Sequence, residues 1–141
     1  MGLDMYLYKE TFIWKFGNNL PTLTVDYPGV RPERVSAITE TCGQWRKANA
    51  IHNWFVTHAQ DGVDGCQKTY VSKQQLQALL GLVHNVLADH SSAPAQLPTE
   101  GGFFFGSTDY DDYYFEDLEL TQKILEGALA EEGVYYYQSS W

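Results

Sequence analysis

Cysteine is scarce in this 141-residue chain, with only Cys42 and Cys66. One pair in a chain this long makes no disulfide framework. Cys66 would be a nucleophile only beside a cation or a helix end, so a small residue in a buried turn is its expected role. The paired-cysteine and His-Glu-x-x-His spacings of zinc sites are absent. Asp61-Gly-Val-Asp64-Gly65 starts like a calcium loop but lacks the closing Glu. No metal and no cofactor is therefore expected. There is no Gly-x-Ser-x-Gly elbow, and Gly101-Gly102 is not followed by the Lys-Ser/Thr of a phosphate loop. No catalytic residue is assigned on these grounds. Nothing approaches the roughly 18 consecutive apolar residues of a membrane helix. Gly2 is followed by Tyr6 where a myristoylation signal needs Ser or Thr. With no signal-type opening, the cytoplasm is the expected compartment, with no membrane partner. Basic residues are few as well, 9 against 18 acidic, for a net charge of −9. That balance excludes broad contact with phosphate backbones and anionic lipid, so no direct nucleic-acid partner is expected. It permits an acidic face presented to a basic partner.

Aromatic residues are abundant at 15%, ten of them Tyr, and 44% of the chain is hydrophobic. A globule of this size buries roughly two-thirds of its unfolded surface, enough for one core. Residues 1–141 are read as one α+β domain, a small, mostly antiparallel sheet against about three helices. Alternation over residues 3–16 predicts a strand with a phase shift near Lys9-Glu10, closed by a turn at 17–19. Pro21, Pro28 and Pro32 mark a loop, followed by a short strand over 35–41. Ala48, Ile51, Phe55 and Ala59 predict a helix over 46–60, with Gly62 as its cap. A strand over 69–71 leads to a helix capped by Ser72 with Gln75 as its box partner, ending near Asp89-His90. Phe103-Phe104-Phe105 between glycines reads as a short buried strand or an inserted plug. A third helix runs to about residue 132, and 134–137 closes the sheet. If that last strand is an edge, Tyr135–Tyr137 are a homodimer or partner contact; if central, they are core.

Two stretches could carry function. On the helix over 46–60, Trp45, Arg46, Lys47, Asn49 and His52 would gather at its N-terminus, where free backbone N–H groups and a bidentate Arg suit an anion. The plain alternative is structural: Trp45 packs the helix start, His52 is a hydrogen-bonded core-edge histidine and Arg46 pairs with an acid. Asp4, on the strand face opposite Leu3 and Met5, could meet Arg46 and His52 and orient the latter as a base. In the second stretch, Asp109, Tyr110, Asp111, Asp112, Tyr113 and Glu116 interleave acids with rings. On an exposed surface this imitates a phosphate backbone, with Tyr supplying contact area; otherwise it is a well-capped helix start.

Met1-Gly-Leu-Asp-Met-Tyr-Leu7, Trp45-Arg-Lys-Ala-Asn-Ala-Ile-His-Asn-Trp-Phe55 and Gly102-Phe-Phe-Phe-Gly106 with Tyr113-Tyr114 resemble a family of small proteins of bacteriophages, prophages and bacteria. The resemblance spans nearly the whole chain. It implies a phage-type accessory gene working in the host bacterial cytoplasm, and places Asp4, Arg46, Lys47, Asn49 and His52 in the family pattern. It implies no activity.

Three readings follow. The first is a non-enzymatic protein that binds and inhibits a host protein, such as a nucleic-acid-binding defence complex of the CRISPR-effector kind, through 109–117. The second is a small-ligand binder, such as a nucleotide-signal sponge, using Asp4, Trp45, Arg46, Lys47, Asn49 and His52. The third is a small hydrolase using Asp4 and His52. A tightly held metal ion, or a buried acid–base pair at the floor of a cleft, would overturn the reading that the protein works through what its surface touches.

Overall fold

The computed structural model describes residues 2–13 and 23–141. The expected strand end at 14–16 and the turn at 17–19 lie outside the described residues. Four strands, β1 (Asp4–Phe12), β2 (Ala37–Arg46), β3 (Thr69–Val71) and β4 (Val134–Ser140), form one antiparallel sheet in the order β2-β1-β4-β3. The helices are α1 (Asn49–His58), α2 (Lys73–Ala88), the single turn α3 (Ala93–Gln96) and α4 (Asp112–Leu129). This is the α+β architecture that the pattern predicts.

Alternation sets the layers. Leu3, Met5 and Leu7, with Tyr135 and Tyr137 of β4, are buried on one side of the sheet. Tyr6 and Tyr8 stack on the other side at 5.7 Å. A strand puts successive side chains on opposite faces, so this single alternation decides which rings enter the core. The irregularity expected near Lys9-Glu10 lies earlier. Leu7 pairs with Gly43 and Tyr8 with Thr41, which leaves Cys42 as the extra residue of a bulge in β2.

β2 also runs well past the expected 35–41. It is a sheet edge with only Gly43 and Trp45 buried, so its hydrophobic signal is thin, and the bulge breaks its period. Its far end is fixed by pairing, Trp45 opposite Met5 and Arg46 opposite Asp4. Gly43 is required here for space. A Cβ on it would stand 2.4 Å from Ile124 Cγ2 of α4, so the missing side chain is what brings the helix down onto the sheet.

Ser72 caps α2 as expected. Its Oγ accepts from Gln75 N at 3.1 Å, and Gln75 Oε1 accepts from Ser72 N at 2.9 Å. Leu76, Leu79, Val83 and Val86 then face the core, each contributing roughly 1.5–3 kcal/mol by leaving water. Asp111 caps α4 by accepting from Tyr114 N at 3.1 Å. Buried Thr121 accepts from Trp45 Nε1 at 2.8 Å and donates to Asp117 O at 2.6 Å, so the indole is satisfied inside the core. β4 lies between β1 and β3. The conditional edge reading therefore gives way to core for Tyr135 and Tyr137, with Tyr136 half-buried on the other face: Tyr135 donates to Ala128 O at 2.8 Å, and the Tyr137 ring stacks on Phe55 at 4.0 Å. Among the described residues no helix is long and apolar enough to cross a membrane.

Candidate functional site

The first expected site rests on a helix starting at Arg46, and the structure moves that start. Arg46 ends β2, Lys47 takes a left-handed backbone (φ 57°) and α1 opens at Asn49. Strand pairing to Asp4 and Met5 holds Trp45 and Arg46 extended, which overrides the helical spacing that continues from Ala48. Trp45 is thus a core ring of the sheet rather than a helix staple. Arg46 Nη1 instead meets Asp4 Oδ1 at 3.3 Å across the paired strands, on an exposed surface. Such a pair adds ~0–1 kcal/mol. Asp4 and Arg46 therefore meet as anticipated, but the carboxylate partner of His52 is Asp64, and Asp4 is not its orienter.

Asn49 is a clamp. Its Nδ2 donates to Phe105 O at 2.9 Å and Ser107 O at 2.8 Å, and its Oδ1 accepts from Glu100 N at 3.0 Å. One buried amide therefore shapes the loop over 100–107. Leu3 N ties the same loop to the sheet by donating to Phe104 O at 3.0 Å. Phe103-Phe104-Phe105 is consequently a turn rather than a strand. Phe103 is 94% exposed, while Phe105 is half-buried edge-on to His52 at 5.2 Å. Only the last ring acts as the expected plug.

His52 is fully buried at the centre of a polar chain. Nε2 lies 3.0 Å from Asp64 Oδ2, and Nδ1 lies 2.6 Å from Tyr137 Oη. A carboxylate only accepts, so Nε2 carries a proton, and in the neutral ring Nδ1 accepts from the Tyr137 hydroxyl. Trp141 Nε1 donates to Asp64 Oδ1 at 3.1 Å and closes the chain. Burial, with Asp64 and Cys66 nearby, pushes the Tyr137 hydroxyl well above its ordinary range, so it acts as a proton donor only in hydrogen bonding. This is a buried acid–base pair beside a cleft, the very feature that counts against a purely contact-driven protein. Its bonding removes much of that weight. Both imidazole nitrogens are occupied by protein groups, and among the described residues no Ser, Thr or Cys hydroxyl or thiol is bonded to the ring. The histidine is a structural link from α1 to β4.

Two clefts flank the loop over 100–107. The smaller, about 260 Å³, is lined by Arg46, Lys47, Ala50 and Ile51 and by Asp109, Asp111, Tyr113 and Asp117. Both sequence-flagged stretches meet there. Ala48 provides no side-chain cap to α1, so that helix end opens into the cleft. An anion entering it would face three carboxylates as well as two cations. The larger cleft, about 600 Å³, takes His52, Asp64, Glu100, Trp141 and the three phenylalanines. Of the proposed ligand set, Arg46, Lys47 and Asn49 line the first cleft, His52 lines the second, and Asp4 and Trp45 line neither.

The acidic stretch stands out from the surface. Asp109, Asp111, Asp112 and Glu116 are exposed, Tyr113 is 76% exposed, and Tyr110 packs its ring on Tyr114 at 5.0 Å. Tyr114 is buried, its hydroxyl donating to Leu97 O at 2.7 Å. Among the described residues none of the carboxylates at 109, 111, 112, 116 or 117 has a salt-bridge partner. Asp117 lies half-buried behind them. Burial, reinforced by Glu116 and Asp111, raises its carboxyl from 3.8 to about 6.

Sequence reasoning did not connect Asp64, Tyr137 or Trp141 with His52, nor set Asp117 apart from the acids around it. The contact of His52 with Tyr137 spans 85 positions and leaves no local pattern. Only the Asp61-Gly62 turn hinted that Asp64 sits on a tightly folded loop, with Asp61, Gly62 and Cys66 all at positive φ. No protein-family profile, curated protein or solved structure matches this chain.

Proposed function

We propose that the chain is a non-enzymatic interaction protein of the phage-accessory type, which binds and inhibits a host protein through the acidic–aromatic surface at the start of α4. The partner offers a basic, nucleic-acid-handling face. The single observation behind this reading is the group of carboxylates at 109, 111, 112, 116 and 117, none of them in a salt bridge among the described residues, beside the exposed ring of Tyr113. Like charges crowded this way repel, and a cationic partner relieves that repulsion. Tyr113 adds a rigid ring with few rotamers to lose on contact. A net charge of −9 speeds the encounter with a basic surface and makes it sensitive to salt.

The test is comparative co-purification from infected or host cells with the wild-type chain and a triple variant, Asp109→Lys, Asp112→Lys and Glu116→Lys. Asp111 is left intact because its cap supports the helix. A specific partner retained by the wild type and lost by the variant, with circular dichroism unchanged, is the expected result. Equal retention by both chains overturns the reading.

A further inference from the structure

We propose that the larger cleft binds a small organic cation of the alkylated-ammonium class. The walls are rings set at different angles. Phe104 and Trp141 stand 6.5 Å apart at 23°, Phe105 and Trp141 6.5 Å apart at 70°, and Phe103 meets Phe104 at 4.8 Å and 84°. Ring faces carry negative potential, and a cation near several of them is held without hydrogen bonds.

The charge lining the cleft has one sign. Asp64 and Glu100 are its carboxylates, and among the described residues no Lys or Arg lines it. His52 is there too, but both ring nitrogens are bonded to Tyr137 and Asp64. Asp64 already accepts from His52 through Oδ2 and from Trp141 through Oδ1. Each of its oxygens is thereby held in place, and its negative charge faces the cleft. A primary ammonium wants three acceptors; an alkylated one wants ring faces and a nearby negative charge. The cation class follows from the lining, where four aromatic rings accompany two carboxylates.

Size and exposure agree. A cleft of about 600 Å³ falls in the roughly 300–1,000 Å³ range of small-molecule sites. Phe103 lines its mouth while 94% exposed. A ring held in water costs free energy that a bound ligand recovers by covering it. This site is separate from the acidic surface of α4, and its test does not depend on a protein partner.

The experiment is calorimetric titration of the full chain with choline and with its neutral carbon isostere, 3,3-dimethylbutan-1-ol. Choline is expected to bind, and the isostere to bind at least about tenfold more weakly, because only the cation gains from the rings and carboxylates. Trp141→Ala should weaken choline further, but it also releases Asp64. Phe103→Ala and Glu100→Gln alter exposed side chains and leave the core intact, and each should weaken choline by roughly threefold or more. Equal affinity for choline and the isostere overturns the proposal, as does no choline binding up to about 10 mM, an affinity too weak to reflect a built site.

Discussion

Asp117→Asn should make this protein more stable at neutral pH, although it removes a charged group. The carboxyl is raised from 3.8 to about 6 by burial first and by Glu116 and Asp111 second. A carboxyl raised on folding holds its proton more tightly in the native state than in the unfolded chain. Its ionised form is therefore a cost to the native state. That cost is absent at low pH, where both states are protonated, grows as pH rises from about 4 to about 6, and is constant above. Two pH units correspond to at most about 3 kcal/mol, and partial solvent access reduces this to roughly 1–2 kcal/mol. The amide keeps the shape and loses the charge. Urea melts followed by circular dichroism from about pH 4 to pH 8 should show the variant about 1–2 kcal/mol more stable at neutral pH, with the gap closing toward pH 4. A variant less stable at pH 7, or a gap independent of pH, refutes the reasoning.

Other perturbations test the frame around the clefts. His52→Ala strands the buried Tyr137 hydroxyl and frees Asp64, so thermal unfolding should report a loss of about 2–4 kcal/mol from an unmet hydroxyl and a cavity; a loss under about 1 kcal/mol would show that the link is not structural. Gly43→Ala places a Cβ against Ile124 at 2.4 Å and should cost about 1–3 kcal/mol in denaturant melts. Ile124→Ala in the same chain should recover part of it, and no recovery would show that the close approach is not the cause. Among the described residues Ser139 Oγ is buried without a hydrogen-bond partner, so Ser139→Ala should raise the melting temperature, by about 1 kcal/mol in stability; a lower one would mean the hydroxyl is satisfied in solution.

The sequence spoke most clearly where function is local. Ser72 with Gln75 is a box three residues wide, and both of its bonds form. The 3.6-residue stripe of α2 and the alternation of Leu3, Met5 and Leu7 survive intact because each is decided by one buried face. The start of α1 failed for a non-local reason. Helical spacing from Ala48 extends smoothly back to Trp45, but pairing with β1 claims Trp45 and Arg46 for the sheet. The expected ligand set was split within α1 itself, since Asn49 lines the first cleft with Arg46 and Lys47 while His52, three residues on, lines the second. Phe103 misled through composition, as three consecutive rings suggest burial while Asn49 holds that loop in a turn. Asp117 looked like one more helix-start acid. Its distinction is burial behind Asp111 and Glu116, which only packing reveals.

Hydrogen–deuterium exchange on the chain, alone and in complex with a co-purified partner, tests the central claim most directly. Amides of residues 109–117 should slow on complex formation, with those around His52 and Asp64 unchanged. An unaltered 109–117 segment, with protection confined to other surfaces, would contradict the account.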